Sequence, residues 1–392
     1  MNVKEMDSRF LRPVIEQEIL FASEAASYLG VTPQRLNQLV HTGKVKPVRT
    51  SPSGNLYMRT DLEERRKRMD GNQMMFITAL FHKNEPEVVY EAINYFTIQT
   101  IFNGSDKKTV PMYERLYDKW PMTEELTPHI REISEDLGVE QEALEKAYST
   151  VVGGFQQLGE EDLIVKKGGV HYPPQLNTLS DAPLFLFMRG NPDLLEEHLV
   201  TVVGSRKPSK EGEETAYQLS KEIGKQGYVI ISGLSKGIDS IVQQATVDED
   251  IPTIAILGTP ITHFHPREHQ SLQGKLENKG LVISQFPPSV KVQRWHFPMR
   301  YALMSGMAAA NVIIEASDKS EVLQQADYAM EHKRPILLPQ SALNNRGLQW
   351  PNRYIDYKHM YAYRKMSDVI KRMNIITEGE HDAEAKRVKQ TV

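Results

Sequence analysis

Two glycine-bearing stretches hold residue types suited to gripping phosphate. Gly204-Ser205-Arg206-Lys207 sets a side-chain-free backbone position beside a hydroxyl donor and two cations. Ser232-Gly233-Leu234-Ser235-Lys236-Gly237-Ile238-Asp239 repeats the combination with two glycines, two serines and a lysine. Small residues let a backbone approach an anion closely, and the free N–H groups at the head of a following helix favour negative charge there. Neither stretch is the GxGxxG of a dinucleotide site, and no acidic residue ends the second strand to hold a ribose, so no NAD or FAD cofactor is expected. One such turn alone is ordinary loop geometry; two on one sheet edge point to phosphate binding. No nucleophile–base spacing and no general acid–base pair stands nearby, so no catalytic residue is assigned, and Asp239 is expected to cap or brace the helix that follows.

The elements that position these turns are legible from Thr201 onward. Short β-branched runs, TVVG, YVIISG, TIAILG, LVISQF, NVIIEA and PILLP, alternate with amphipathic segments. That pattern predicts an α/β fold, an extended Rossmann-like, doubly wound parallel sheet covered on both faces. Three runs end at Gly204, Gly233 and Gly258, where a parallel sheet exposes its ligand edge. Trp295, His296, Phe297 and Tyr301 cluster beside Arg294 and Arg300, either as a stacking platform for bases or as a core aromatic belt.

A different pattern occupies the first 70 residues. Ser23 is placed to cap one helix carrying Ala25, Ala26 and Leu29 on one face; Gly30 permits a tight turn; Thr32-Pro33 opens a second helix. Gly43 ends that helix, residues 52–55 (Pro-Ser-Gly-Asn) make a hairpin tip, and a basic helix follows Arg59-Thr60-Asp61. Residues 31–70 hold nine Lys/Arg against four Asp/Glu. This segment resembles the winged helix-turn-helix of MerR regulators and excisionases. The resemblance implies that Gln34, Arg35, Asn37 and Gln38 face the major groove of duplex DNA while Lys44, Lys46, Arg49 and Arg59 meet phosphates. A helix-turn-helix used only for protein contact is the alternative. Leu137-Gly138-Val139 with Leu144 repeats the frame of Leu29-Gly30-Val31 with Leu36, but residues 121–145 carry eight Asp/Glu and one Arg, a balance suited to packing or a protein partner and not to a phosphate backbone.

The stretch from Tyr172 to Pro339 carries a second resemblance. YPPQLNTLSDAPLFLFMRG, VVGSRKPS, GYVIISGLSKGID, TIAILGT, GLVISQFPP, WHFPMR and MSGMAAANVIIEA follow one another in the order and spacing of the DNA-processing protein A family. That resemblance implies single-stranded DNA held in a basic pocket and delivered to a RecA-type recombinase. It implies phosphate contacts from Gly204, Ser205, Arg206 and Lys207 and from Ser232, Gly233, Lys236, Gly237 and Asp239, and it matches Arg300 to the first arginine of the family's RNR element; Ser235 and Gly258 join this set from the residue types of the sheet-edge turns themselves. Tyr301 and Ala302 stand where the family has Asn and Arg, and the family's SGSLITA appears as Ser320-Glu321-Val322-Leu323-Gln324-Gln325-Ala326.

Bulk composition bounds the rest. With 392 residues, 40% of them hydrophobic and 25% charged, the chain should fold into several domains. These are expected at 1–70 (helix-turn-helix), 71–170 (helical), 171–340 (Rossmann-like) and 341–392 (helical extension with a fraying tail). Zero cysteines exclude disulfides and thiolate metal sites, and His263, His265 and His269 lack the carboxylates of a zinc centre, so no metal is expected. No apolar run is long enough to span a bilayer, which predicts a soluble, cytoplasmic protein without a membrane partner. The net charge of −4 confines nucleic-acid contact to local basic patches. The expected partners are therefore single-stranded DNA, double-stranded DNA and a RecA-type recombinase, with a homodimer as the assembly. Two other functions stay open: a nucleotide-sensing regulator or phage-defence component, and a nucleotide-sugar hydrolase using Glu321, which lacks the glycines of that family's PGGxGTxxE stretch.

Overall fold

All six β-branched runs form parallel strands of one sheet: β5 (Leu199–Val203), β6 (Val229–Ser232), β7 (Thr253–Ile256), β8 (Leu281–Ser284), β9 (Ala310–Ile313) and β10 (Ile336–Pro339). The computed structural model describes residues 18–29, 33–41, 43–51, 54–62 and 78–390. The chain divides into two compact units, one of residues 1–79, 97–120 and 126–156 and the other of residues 80–96, 121–125 and 157–392. The second unit holds a nine-stranded sheet, because three further strands join the six. Antiparallel β3 (Leu163–Lys166) and β4 (Phe185–Gly190) extend it beyond β8, and parallel β11 (Met360–Tyr363) extends it beyond β10.

The boundary expected at residue 340 is thus corrected. Residues 360–363 complete the sheet, and Val369 and Met373 of the following helix are buried in its core. That helix continues to Gln390, where a fraying tail was expected.

Side-chain alternation along the strands explains the two-sided cover. Val200, Val202 and Ile230 point to the face covered by α7 (Lys210–Lys225) and α8 (Ile238–Asp248). Leu199, Val203, Val229 and Ile231 point to the face covered by α10 (His296–Met307) and α11 (Leu323–Glu331). Both faces being apolar, the strands read as continuous hydrophobic runs. The strand order β11-β10-β9-β5-β6-β7-β8-β4-β3 reverses direction between β5 and β9. The crevice outside their carboxyl ends is the place where open α/β sheets receive ligands.

In the first unit, β1 (Ile19–Phe21) pairs antiparallel with β2 (Leu56–Met58), and between them lie α1 (Ala22–Tyr28) and α2 (Pro33–His41). Ala25, Ala26, Leu29, Leu36 and Tyr57 share one small core. Ser23 falls inside α1, one residue past its start; the helix head is closed instead by Glu24, whose carboxylate accepts the Phe21 N–H at 2.8 Å, one half of a capping box. Gly43 ends α2 in the left-handed conformation (φ +67). Gly30, Thr32, Pro52 and Ser53 lie outside the described residues. The repeated Leu-Gly-Val frame also lies in this unit, where Gly138 (φ +67) closes α5 (Ile130–Leu137) ahead of α6 (Gln141–Phe155). Among the described residues no helix is long and apolar enough to cross a membrane.

Candidate nucleic-acid interface

Both glycine turns stand at the carboxyl edge of the sheet and touch through their backbones: the Ile238 N–H donates to the Ser205 carbonyl at 3.1 Å. Gly237 makes that approach possible. Its φ of +79 and ψ of −132 suit only glycine, and a Cβ there would collide with the Ser205 carbonyl and stand 2.7 Å from the carbonyl carbon of Arg206.

The turns are built around Asp239. Its carboxylate, 3% exposed, faces the backbone amides of Ser235 and Gly204 and lies 3.9 Å from the Arg300 guanidinium. Burial raises its pKa above the ordinary carboxylate value, opposed by Arg300 and by those two amides. Arg300 is itself 3% exposed; it donates to the Gly233 carbonyl at 2.6 Å and to the Ser235 hydroxyl. Gly204 leaves room for Ile238, Gly233 for Asp239 and Arg300, and Gly258 for Phe297. Ser232 is fully buried and donates its hydroxyl to the Val202 carbonyl at 2.8 Å.

These contacts correct the sequence-derived picture of a cradle of amide hydrogens. Gly204, Ser232, Gly233, Ser235, Asp239, Gly258 and Arg300 are buried, the Arg300 Nε–H without a hydrogen-bond partner, because the turns pack closely against Ile238, Phe297 and Arg300. Ser205 is half-buried, its hydroxyl accepting the Lys207 N–H at 3.1 Å, and Gly237 is half-buried. Arg206, Lys207 and Lys236 are exposed. Desolvation first, then the positive charges of Arg300, Arg206 and Lys236, hold His265 below the ordinary imidazole pKa, so these cations converge on one region of space.

Carboxylates that sequence reasoning did not assign to this edge complete it. Arg206 pairs with Glu321 at 2.7 Å and Lys236 with Glu268 at 2.6 Å. Glu315, just past β9, fills the crevice at the strand-order reversal: its carboxylate accepts the Ser209 hydroxyl at 2.6 Å and the Ser209 N–H at 3.1 Å, and its carbonyl accepts the Ser205 N–H at 2.7 Å. A carboxylate therefore occupies the head of α7, the place a dinucleotide pyrophosphate takes. The signal was present in the sequence as an acidic residue ending the NVIIEA run, at the first strand beyond the reversal.

The aromatic cluster divides. Tyr301 (3% exposed) and His296 (0%) are core residues, whereas Trp295 is 45% exposed beside exposed Lys291 and Arg294. His296 stacks on Phe286 with centroids 4.0 Å apart, and burial lowers its pKa to about 4. The folded imidazole stays neutral down to about pH 4, while the unfolded one takes up a proton near 6.5. Stability from this group is therefore complete above pH 6.5 and falls as the pH drops toward 4, by at most about 3 kcal/mol. Urea midpoints at pH 7 and pH 5 should differ less in His296→Phe than in the unsubstituted protein; equal differences would remove His296 as a cause.

In the helical segment, Gln34, Asn37, Lys44, Lys46, Arg49 and Arg59 are exposed, with the Arg59 guanidinium 5.5 Å from the Tyr28 ring centroid. The side chains of Arg35 and Gln38 lie outside the described residues.

The sequence pattern of the family described as DNA recombination-mediator protein A matches residues 164–374, more than half of the chain. The chain belongs to that family. As a member of the recombination-mediator family it is 34% identical over 166 residues to the DNA processing protein DprA of Bacillus subtilis, covering 42% of this chain and 56% of the relative. To the protein of the same name from Streptococcus pneumoniae it is 36% identical over 174 residues, covering 44% of this chain and 61% of the relative. The chain thus spans under two thirds of the length of these curated relatives. The solved structure of Streptococcus pneumoniae DprA superposes with a TM-score of 0.55 at 25% identity, covering 73% of this chain and 95% of that one. The family's matched span takes in β3 through β11, so all nine strands of the sheet fall inside it or at its edge.

Proposed function

We propose that the chain is a non-catalytic DNA-binding protein that holds single-stranded DNA along the carboxyl edge of the sheet and duplex DNA on α1, α2 and the β2 hairpin. On the sheet edge, Arg206, Lys207 and Lys236 contact successive phosphates, Ser205 orients the first turn, and Trp295 offers a face on which a base stacks, flanked by Lys291 and Arg294. Asp239 and Arg300 hold the turns together and do not touch the strand. The observation that carries this reading is the placement of Arg206, Lys207 and Lys236 as exposed cations on two turns joined by the Ile238–Ser205 hydrogen bond. Exposed cations on a rigid edge suit a sugar-phosphate chain, which needs charges spaced along a path and no enclosed pocket.

The nucleotide-sensing alternative loses ground because Glu315 fills the crevice a nucleotide phosphate would enter. On α2 and the hairpin, exposed Gln34 and Asn37, together with Arg35 and Gln38, are the base-reading residues, and Lys44, Lys46, Arg49 and Arg59 the phosphate contacts. Delivery of the strand to a RecA-type recombinase and a homodimeric assembly belong to the same proposal, supported by the family membership.

Fluorescence anisotropy with labelled oligo-dT and with a labelled duplex tests it. The Arg206→Ala/Lys236→Ala variant should lose about tenfold or more in affinity for the single strand, and its dependence of log K on log salt should flatten by at most about 1.4, two cations at roughly 0.7 each. Lys44→Ala/Lys46→Ala/Arg49→Ala should weaken duplex binding alone. Equal losses of both ligands in both variants, or of neither, would count against the assignment.

A further inference from the structure

Two cations of the proposed strand path, Arg206 and Lys236, already face a carboxylate across the edge. Arg206 and Glu321 are 48% and 51% exposed, and Lys236 and Glu268 are both 59% exposed, so neither pair is held in place by burial. Glu321 occupies the position at which the resembled family's SGSLITA stretch has its glycine, which makes this pairing a property of this chain's own residues. It reaches Arg206 from the loop beyond β9, across the reversal point of the strand order. Glu268 reaches Lys236 from the segment beyond β7, so the two pairs flank the β5 and β6 turns from opposite sides.

An isolated phosphate arriving at either cation exchanges one anion partner for another. Its gain is small, because the ion pair it replaces has similar charge and similar exposure. A phosphodiester chain behaves differently. Once its first phosphate has displaced one glutamate, the second encounter is intramolecular and proceeds at the high effective concentration set by the connecting sugar. From this geometry we infer that Glu321 and Glu268 are specificity-determining residues, which keep Arg206 and Lys236 from single phosphates and yield to a polynucleotide that engages both cations together. The inference rests on the strand-binding reading above and adds what the edge rejects.

The pairing also sets the salt dependence. A cation already matched by a glutamate carries few condensed counterions, and the glutamate released by DNA gathers cations of its own, so fewer ions are freed on binding than two unpaired cations would free. Replacing both carboxylates by the isosteric amide removes the competitor while keeping the side-chain volume.

The test measures oligo-dT affinity by anisotropy across a salt series, with inorganic phosphate as competitor, for the unsubstituted protein, Glu321→Gln/Glu268→Gln and Arg206→Ala/Lys236→Ala. The expected result for Glu321→Gln/Glu268→Gln is roughly tenfold tighter oligo-dT binding at low salt, a log–log salt slope steeper by about 1, and competition by inorganic phosphate at concentrations that leave the unsubstituted protein unaffected. Unchanged or weaker oligo-dT binding by this variant, or unchanged phosphate competition, overturns the role of the glutamates. If Arg206→Ala/Lys236→Ala weakens binding while the glutamine variant matches the unsubstituted protein, the strand-binding reading stands and the glutamates have no part in it. If none of the three proteins binds oligo-dT, or the alanine variant binds as well as the unsubstituted protein, the strand-binding reading falls and this inference with it.

Discussion

Arg300→Ala should destabilise the folded protein by about 3–5 kcal/mol, the usual consequence of stripping one partner from a buried charged pair. Three groups lose their partner together: the Gly233 carbonyl, the Ser235 hydroxyl and the Asp239 carboxylate, which is 3% exposed. Of these the carboxylate weighs most, because an ionised group without a counter-charge is poorly tolerated away from water. Adding Asp239→Asn to Arg300→Ala should therefore recover part of the loss, and urea titration should show both changes as midpoint shifts with an unaltered m-value. An Arg300→Ala protein that keeps its urea midpoint and loses only strand affinity would return Arg300 to the ligand-contacting set in which the family resemblance placed it.

Gly237→Ala should be comparably damaging, at about 3 kcal/mol or more. Two effects add: a backbone conformation at φ +79 and ψ −132 that side-chain-bearing residues rarely adopt, and a Cβ driven into the Ser205 carbonyl and the backbone of Arg206. Gly227 separates the two effects. It is also left-handed (φ +82) but has nothing within 4 Å of a Cβ, so Gly227→Ala should cost only about 1–2 kcal/mol. Because the Gly237 contact fixes the distance between the turns bearing Arg206 and Lys236, Gly237→Ala should weaken oligo-dT binding even at temperatures where it remains folded. Thermal unfolding of Gly237→Ala beside Gly227→Ala decides the matter; equal midpoints would show that the steric contact with Ser205 has no energetic weight.

Both expectations concern residues whose chemistry was legible and whose role was not. The family resemblance reads Arg300 as a strand contact, and nothing in one dimension says which way its guanidinium points. In the fold Arg300 sits on α10, and that helix covers the sheet, so the side chain is directed inward to Gly233 and Ser235. The same holds for Ser232, whose place on β6 buries its hydroxyl against Val202. Trp295 and His296 are neighbours in the sequence, yet one is half open and the other closed, because they fall on opposite sides of the helix start. Local rules did better where local energetics decides. Gly43 closes α2 as its left-handed preference predicts, and the six β-branched runs all became strands. Ser23 shows the limit of such rules at helix ends: strand β1 runs to Phe21, so the helix starts two residues early and Glu24 takes the capping role.

What the sequence determined by itself is the doubly wound architecture and the location of two cation-bearing turns on one sheet edge. Strand periodicity and glycine position are properties of the local backbone, and they survive whatever the rest of the chain does. The tertiary structure alone decided which of the edge groups remain free for a ligand. Glu315 lies 106 positions from Ser209, Glu321 115 from Arg206 and Glu268 32 from Lys236. Ion pairs and buried hydrogen bonds at such separations are created by the packing of α7, α8, α10 and α11 on the two faces of the sheet. That packing directs Asp239 and Arg300 inward and leaves Arg206, Lys207 and Lys236 outward, since a buried charge must find a partner and an exposed one need not.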